Sequence, residues 1–219
     1  MKSNPKVVRQ GFNVLGFFYN PLKRIFLANQ PEIVISESIS EMAFHSNVLV
    51  VGGGSDNTLL ELFQNQICNT VTHVDISSVL SEKASIRLRE KDPEVMDAVK
   101  FIAQPFLGIE SVESFDAVIF PFYLDLFLLD EVKENIKKTK SLLLPDSRVY
   151  VIDFNSNKNS TLLNRLKIKG LYLLFYPFTR IYRKSVPDYD SVFSDLGFTK
   201  VKEQKFFKEL YQLKVFKEA

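Results

Sequence analysis

The chain has 219 residues, 46% of them hydrophobic and 25% charged, which is enough apolar material for a sizeable core. Its 28 basic and 26 acidic residues leave a net charge of +2, without the strong basic excess of a general nucleic-acid binder. One cysteine, Cys68, and two isolated histidines, His45 and His73, exclude an internal disulfide framework and argue against a metal centre, so a reducing cytoplasm is the natural setting.

Residues 1–46 read as a helical extension with a broken apolar pattern, FNVLGFFYNPLKRIFL, and little strand signal. The basic start lacks a long apolar region and a small-residue cleavage site, so a signal peptide is not expected. No run of 18 or more uncharged apolar residues suggests a spanning helix. From Asn47 the pattern alternates. Asn47–Val51 predicts a buried strand, and residues 57–65 a helix with Leu59, Leu60 and Phe63 on one side. Val71–Ile76 predicts a second strand, and Ser78–Lys91 a helix capped by Ser77 or Ser78. Val99–Ala103 and Phe115–Phe120 predict the third and fourth strands. A helix follows over about Leu128–Leu144, then a fifth strand over Arg148–Phe154. Residues 158–187 form a long basic, aromatic helical stretch. Lys200–Lys205 and Leu210–Phe216 are too close for a crossover helix and predict an antiparallel pair. No internal repeat is evident.

Strands alternating with helices imply an α/β, Rossmann-like, doubly wound sheet of seven strands, mostly parallel, with an antiparallel C-terminal pair. Ligands bind such sheets at the carboxyl ends of the strands. Gly52, Gly53 and Gly54 follow the first strand, where glycines permit a tight turn and close approach of backbone N–H groups. Asp75 ends the second strand, 23 residues after Gly52, where a carboxylate can accept both hydroxyls of a ribose. The plainer alternative is a tight turn and a helix cap.

Together these segments resemble the class I S-adenosylmethionine-dependent methyltransferases. VLVVGGGSD is similar to the family's first motif and VTHVDIS to its second. FDAVIFPFYLDLF resembles the strand-four motif that runs past the methyl group, and LLLPDSRVYVIDF the segment leading into strand five. The resemblance covers about residues 47–219, and YNPL at 19–22 resembles the entry segment of some small-molecule methyltransferases. It implies one domain over 1–219, with residues 158–187 inserted as a lid. It also implies S-adenosylmethionine as cofactor, held by Gly52, Gly53, Gly54, Ser55, Asp56, Asp75, Ile76, Gln104, Pro105 and Phe120. Three positions depart from the pattern. Val50 stands where the family has an acid that helps hold the cofactor's amino-acid end, Asp56 replaces a common glycine, and Gln104 replaces an acid that contacts adenine.

The expected activity is methyl transfer to a small apolar or aromatic acceptor, with no metal. Because the sulfonium is already electrophilic, positioning and exclusion of water carry most of the work. If the acceptor must lose a proton, Tyr123 and Asp125 stand after strand four, and Tyr19 could close the pocket. The plainer roles are core packing for Tyr123 and a helix cap for Asp125; His73, inside a strand, reads as packed. A non-catalytic cofactor-binding or scaffold protein of the same fold is the alternative. An NAD(P)-binding oxidoreductase is a further one, disfavoured by Asn57 at the last position of G-x-G-x-x-G and by the antiparallel pair. The 158–187 stretch reads first as a lid with aromatics (Tyr172, Phe175, Tyr176, Phe178) inward and charges outward. Its second reading is contact with an anionic membrane surface.

Overall fold

The computed structural model describes residues 8–14, 27, 29–54, 56–110, 113–155, 162–179 and 186–219; Tyr19 and Ser55 lie outside them. Seven strands form one sheet: β1 (His45–Val51), β2 (Cys68–Asp75), β3 (Val99–Ala103), β4 (Phe115–Pro121), β5 (Leu143–Phe154), β6 (Phe198–Phe206) and β7 (Tyr211–Glu218). Their order is β3-β2-β1-β4-β5-β7-β6. Pairings are parallel from β3 through β5, and β7 is antiparallel to both β5 and β6.

The central strands are apolar for a physical reason. Val48–Val51 of β1 and Ala117–Phe120 of β4 are covered on both sheet faces, so they read as continuous runs rather than alternating ones. β3 and β6 are the edge strands, and Lys200, Lys202 and Lys205 give β6 charges that discourage further pairing.

Around the sheet lie α1 (residues 8–14), α2 (Gln30–Ser40), α3 (Thr58–Gln64), α4 (Ser78–Lys91), α5 (Leu129–Lys140), α6 (Leu162–Thr179) and α7 (Tyr189–Asp195). Ser77 caps α4, its Oγ accepting from Leu80 N at 3.2 Å. α5 carries Asp130 and Glu131 in its first turn and Lys137, Lys138 and Lys140 in its last, matching the helix dipole.

Two helices differ from the sequence reading. α5 stops at Lys140 and β5 begins at Leu143, because Pro145 cannot continue a helix and Leu143 pairs with Phe115 before a register shift. Between β3 and β4 the described residues hold a single 3-10 turn, Phe106–Gly108. A separate helix, α7, precedes the terminal hairpin. Among the described residues, no helix is long and apolar enough to cross a membrane.

Candidate functional site

The strand order reverses between β1 and β4, and a cavity of about 270 Å³ opens there, at the carboxyl ends of the strands. Gly52, Gly53 and Gly54 form its floor, with φ of 80°, 82° and 58°. The space where side chains would branch from Gly52 and Gly53 is already taken. A Cβ at Gly52 would stand 2.7 Å from Tyr123 Cδ2, and one at Gly53 would stand 2.7 Å from Pro121 Cγ and 2.9 Å from Asp56 Oδ2. Glycine is therefore required twice, by the left-handed backbone and by contact.

Asp75 ends β2 and faces the cavity. Its Oδ2 accepts from Gly54 N at 3.2 Å and its Oδ1 from Ser77 N at 2.7 Å, tying the glycine loop to the start of α4. Burial pushes the carboxyl up to about 6; the two N–H donors oppose that, and the charge on Asp56 adds to it. A carboxylate has about four lone-pair sites, so two remain for a ligand.

The two departures at the loop have structural consequences. Val50 is fully buried in β1, beside His73 of β2. Burial brings His73 down to about 4, so the ring is neutral and its Nε2–H donates to Gly52 O at 3.2 Å. Asp56 is turned under the loop: its Oδ1 accepts from Thr58 N at 2.8 Å, capping the first turn of α3, and its N–H donates to Gly53 O at 3.1 Å.

Ile76, Leu80, Gln104, Pro105, Phe106 and Leu107 form one wall, and Phe122, Tyr123, Leu126 and Phe127 another. Of the residues expected from the sequence, Gly52, Gly53, Gly54, Asp75, Ile76, Gln104, Pro105 and Tyr123 line the cavity. Phe120 stands behind the wall, its ring stacked on Tyr123 at 5.6 Å, and Asp56 lies under the loop. Tyr123 OH donates to Asn135 Oδ1 at 3.1 Å, and burial raises its pKa, so it stands as a neutral, fixed wall. Val8 and Phe12 of α1 close one side, with Ser77 Oγ donating to Asn13 Oδ1 at 2.7 Å; Glu131 and Glu134 of α5 also line the space. None of the four lining residues Val8, Phe12, Glu131 and Glu134 carries a local motif that could have marked it.

Asp125 is not part of the lining. It is buried beside Asp153 at the carboxyl end of β5, its N–H donating to Asp153 Oδ2 at 3.1 Å. Two tyrosines complete this second cluster: Tyr172 of α6 donates to Asp125 Oδ2 at 3.0 Å, and Tyr189 of α7 donates to Asp153 Oδ2 at 2.8 Å. Burial, then the charge of Asp125, raises Asp153 well above the ordinary carboxylate range. The cluster therefore holds α6 and α7 onto the strand ends next to the cavity.

No protein-family model and no curated protein matches the chain. Solved structures do. It is similar to a magnesium protoporphyrin IX methyltransferase from Synechocystis PCC 6803, solved with bound S-adenosylhomocysteine, at 17% identity over 99% of this chain and 100% of that one, with a TM-score of 0.72. It is similar to mitomycin 7-O-methyltransferase at 14% identity, over 86% of this chain and 54% of that one, TM-score 0.70. A putative O-methyltransferase from Nostoc punctiforme PCC 73102 is similar at 18% identity, over 92% and 58%, TM-score 0.70. The chain spans little more than half the length of the last two. It has the class I methyltransferase fold.

Proposed function

We propose that the chain binds S-adenosylmethionine at the carboxyl ends of β1 and β2 and transfers its methyl group to a small apolar or aromatic acceptor. The observation that carries this reading is the convergence of Asp75 and the three glycines on one apolar cavity at the switch point. The residues fit the cofactor's nucleoside half. Asp75 has lone pairs left for ribose hydroxyls, the glycine floor exposes backbone, and Ile76, Leu80, Phe106 and Leu107 offer apolar surface to an adenine ring, with Gln104 as amide donor and acceptor. When bound, the cofactor supplies an electrophilic methyl group on its sulfonium.

The chain's own residues then position and shield. Phe122, Tyr123, Leu126 and Phe127 present an aromatic wall that suits a planar or apolar acceptor, and α1 closes the cavity against water through Val8 and Phe12. Tyr123, held by Asn135 and neutral, orients the acceptor by its ring rather than taking a proton. Asp125 acts at one remove by anchoring α6.

A second reading, cofactor binding without turnover, is favoured by Val50 and by Asp56 turned under the loop, because neither offers a carboxylate to the cofactor's amino-acid end. Calorimetric titration with S-adenosylmethionine, S-adenosylhomocysteine and NAD tests the cofactor, and release of S-adenosylhomocysteine in the presence of small aromatic acceptors separates turnover from binding alone. Binding of the first two and not the third is expected, and binding of NAD alone would sink the proposal. Asp75→Ala is expected to weaken cofactor binding about 10- to 100-fold, the worth of one charged hydrogen-bonding group.

A further inference from the structure

We propose that the outer face of α6 rests on an anionic membrane surface, with the helix lying in the headgroup layer. The inner face is settled by contact: Asn164, Ile168, Leu171 and Tyr172 are buried at helical spacing, and Tyr172 is bonded to Asp125. Facing away from them are Leu166 and Leu173, 57% and 64% exposed, seven residues apart and so nearly in line, with Gly170 between them. Tyr176, 45% exposed, extends the apolar strip toward the C-terminal end. Lys167 flanks the leucine line on one side, and Arg165 and Lys169 on the other; all three are exposed. A helix turned only toward water would carry charge where these leucines stand.

Charge complementarity selects the occupant. Residues 154–187 hold seven Lys or Arg and no Asp or Glu, which leaves 21 basic and 26 acidic residues in the rest of the chain. In a chain whose remainder is acidic, three of those cations, Arg165, Lys167 and Lys169, stand beside the exposed apolar face of the described helix. An apolar strip with cationic flanks is the pattern that inserts shallowly beside anionic headgroups. The β6–β7 turn adjoins the start of α6 through Asn164 Nδ2 donating to Lys208 O at 2.9 Å, and adds exposed Phe207 and Lys208 at its edge. With its cations, α6 lies on the surface and does not span it. Its inner face anchors at Asp125, next to Leu126 in the cavity wall, so an acceptor dissolved in the bilayer would arrive close to the cavity.

Sedimentation with vesicles of equal parts phosphatidylglycerol and phosphatidylcholine tests this. Salt-sensitive binding is expected, with little to phosphatidylcholine alone. The double variant L166Q/L173Q is expected to lower partitioning about tenfold or more while melting as the parent does. K167E/K169E is expected to lower it about as much. The chain has no Trp, so Leu173→Trp gives a single reporter whose emission shifts to the blue on vesicle addition. Absence of binding to anionic vesicles at low salt, binding that the leucine variant leaves unchanged, or no emission shift would each overturn the proposal. A dimer dissolved by L166Q/L173Q, in protein that ignores vesicles, would overturn it in favour of a second copy of this chain. None of these readouts depends on cofactor binding.

Discussion

At Gly52 the backbone is left-handed and the ring of Tyr123 lies where a side chain would begin. Gly52→Ala therefore combines two costs, an unfavourable φ and a displaced wall residue, and is expected to destabilise the fold by about 1–3 kcal/mol. Because Tyr123 lines the cavity, the same change should weaken cofactor binding, which melting and calorimetry would detect separately. Asp75 makes a prediction of a different sign. Its carboxyl, pushed up to about 6, takes a proton as pH falls through that value and loses a lone pair that a ribose hydroxyl would use. Cofactor affinity should fall between about pH 7.5 and pH 5.5 by calorimetry. Its contribution to folding runs the opposite way. A buried carboxyl with a raised folded-state pKa stabilises most below the unfolded value of 3.8 and loses that contribution as pH rises through about 6. Weaker binding at low pH in protein that stays folded is thus assigned to the site, and constant affinity across that range would remove Asp75 from it.

Elements bring the second cluster together: Asp125 follows β4, Asp153 ends β5, Tyr172 comes from α6 and Tyr189 from α7. Burial and the neighbouring charge of Asp125 raise Asp153, so its stabilising contribution is complete at low pH and is lost as pH rises through its elevated value. Asp125→Asn removes that charge while an amide oxygen can still accept from Tyr172. The melting temperature of the parent should decline as pH rises through the elevated range of Asp153 and that of Asp125→Asn should decline less; parallel curves would show that the two carboxyls do not interact. The strands in this region were legible because β-branched runs such as Val48–Val51 and Val149–Ile152 must be buried on both faces. The cluster was not, since its hydrogen-bonded partners are 28 to 47 residues apart along the chain and no spacing rule reports a contact made by tertiary packing. α6 shows the same limit. The sequence reading turned Tyr172 and Tyr176 inward with Phe175 and Phe178; the structure buries Tyr172 but leaves Tyr176 exposed along with Leu166 and Leu173, and the side chains of Phe175 and Phe178 lie outside the described residues.

For the whole molecule, Cys68 provides a probe of how far cofactor binding is coupled to global stability. It begins β2, between β1 and the edge strand β3, is buried, and its thiol is pushed up to about 12 by burial and then by the charge of Asp116. Native Cys68 should therefore be inert to thiol reagents near pH 8, because both access and the thiolate are withheld. As the only cysteine, it makes any labelling a report on opening of the central sheet. A ligand bound only by the folded state adds RT ln(1 + [L]/Kd), about 2.7 kcal/mol at 100 times Kd. If labelling follows global unfolding, S-adenosylmethionine at that excess should slow it about 100-fold. Asp75→Ala should need proportionately more cofactor for the same protection. Fast labelling of the free protein would mean that β2 opens locally, at an edge of the sheet independent of the cavity. Slow labelling that the cofactor leaves unchanged would mean that the folded chain does not bind it.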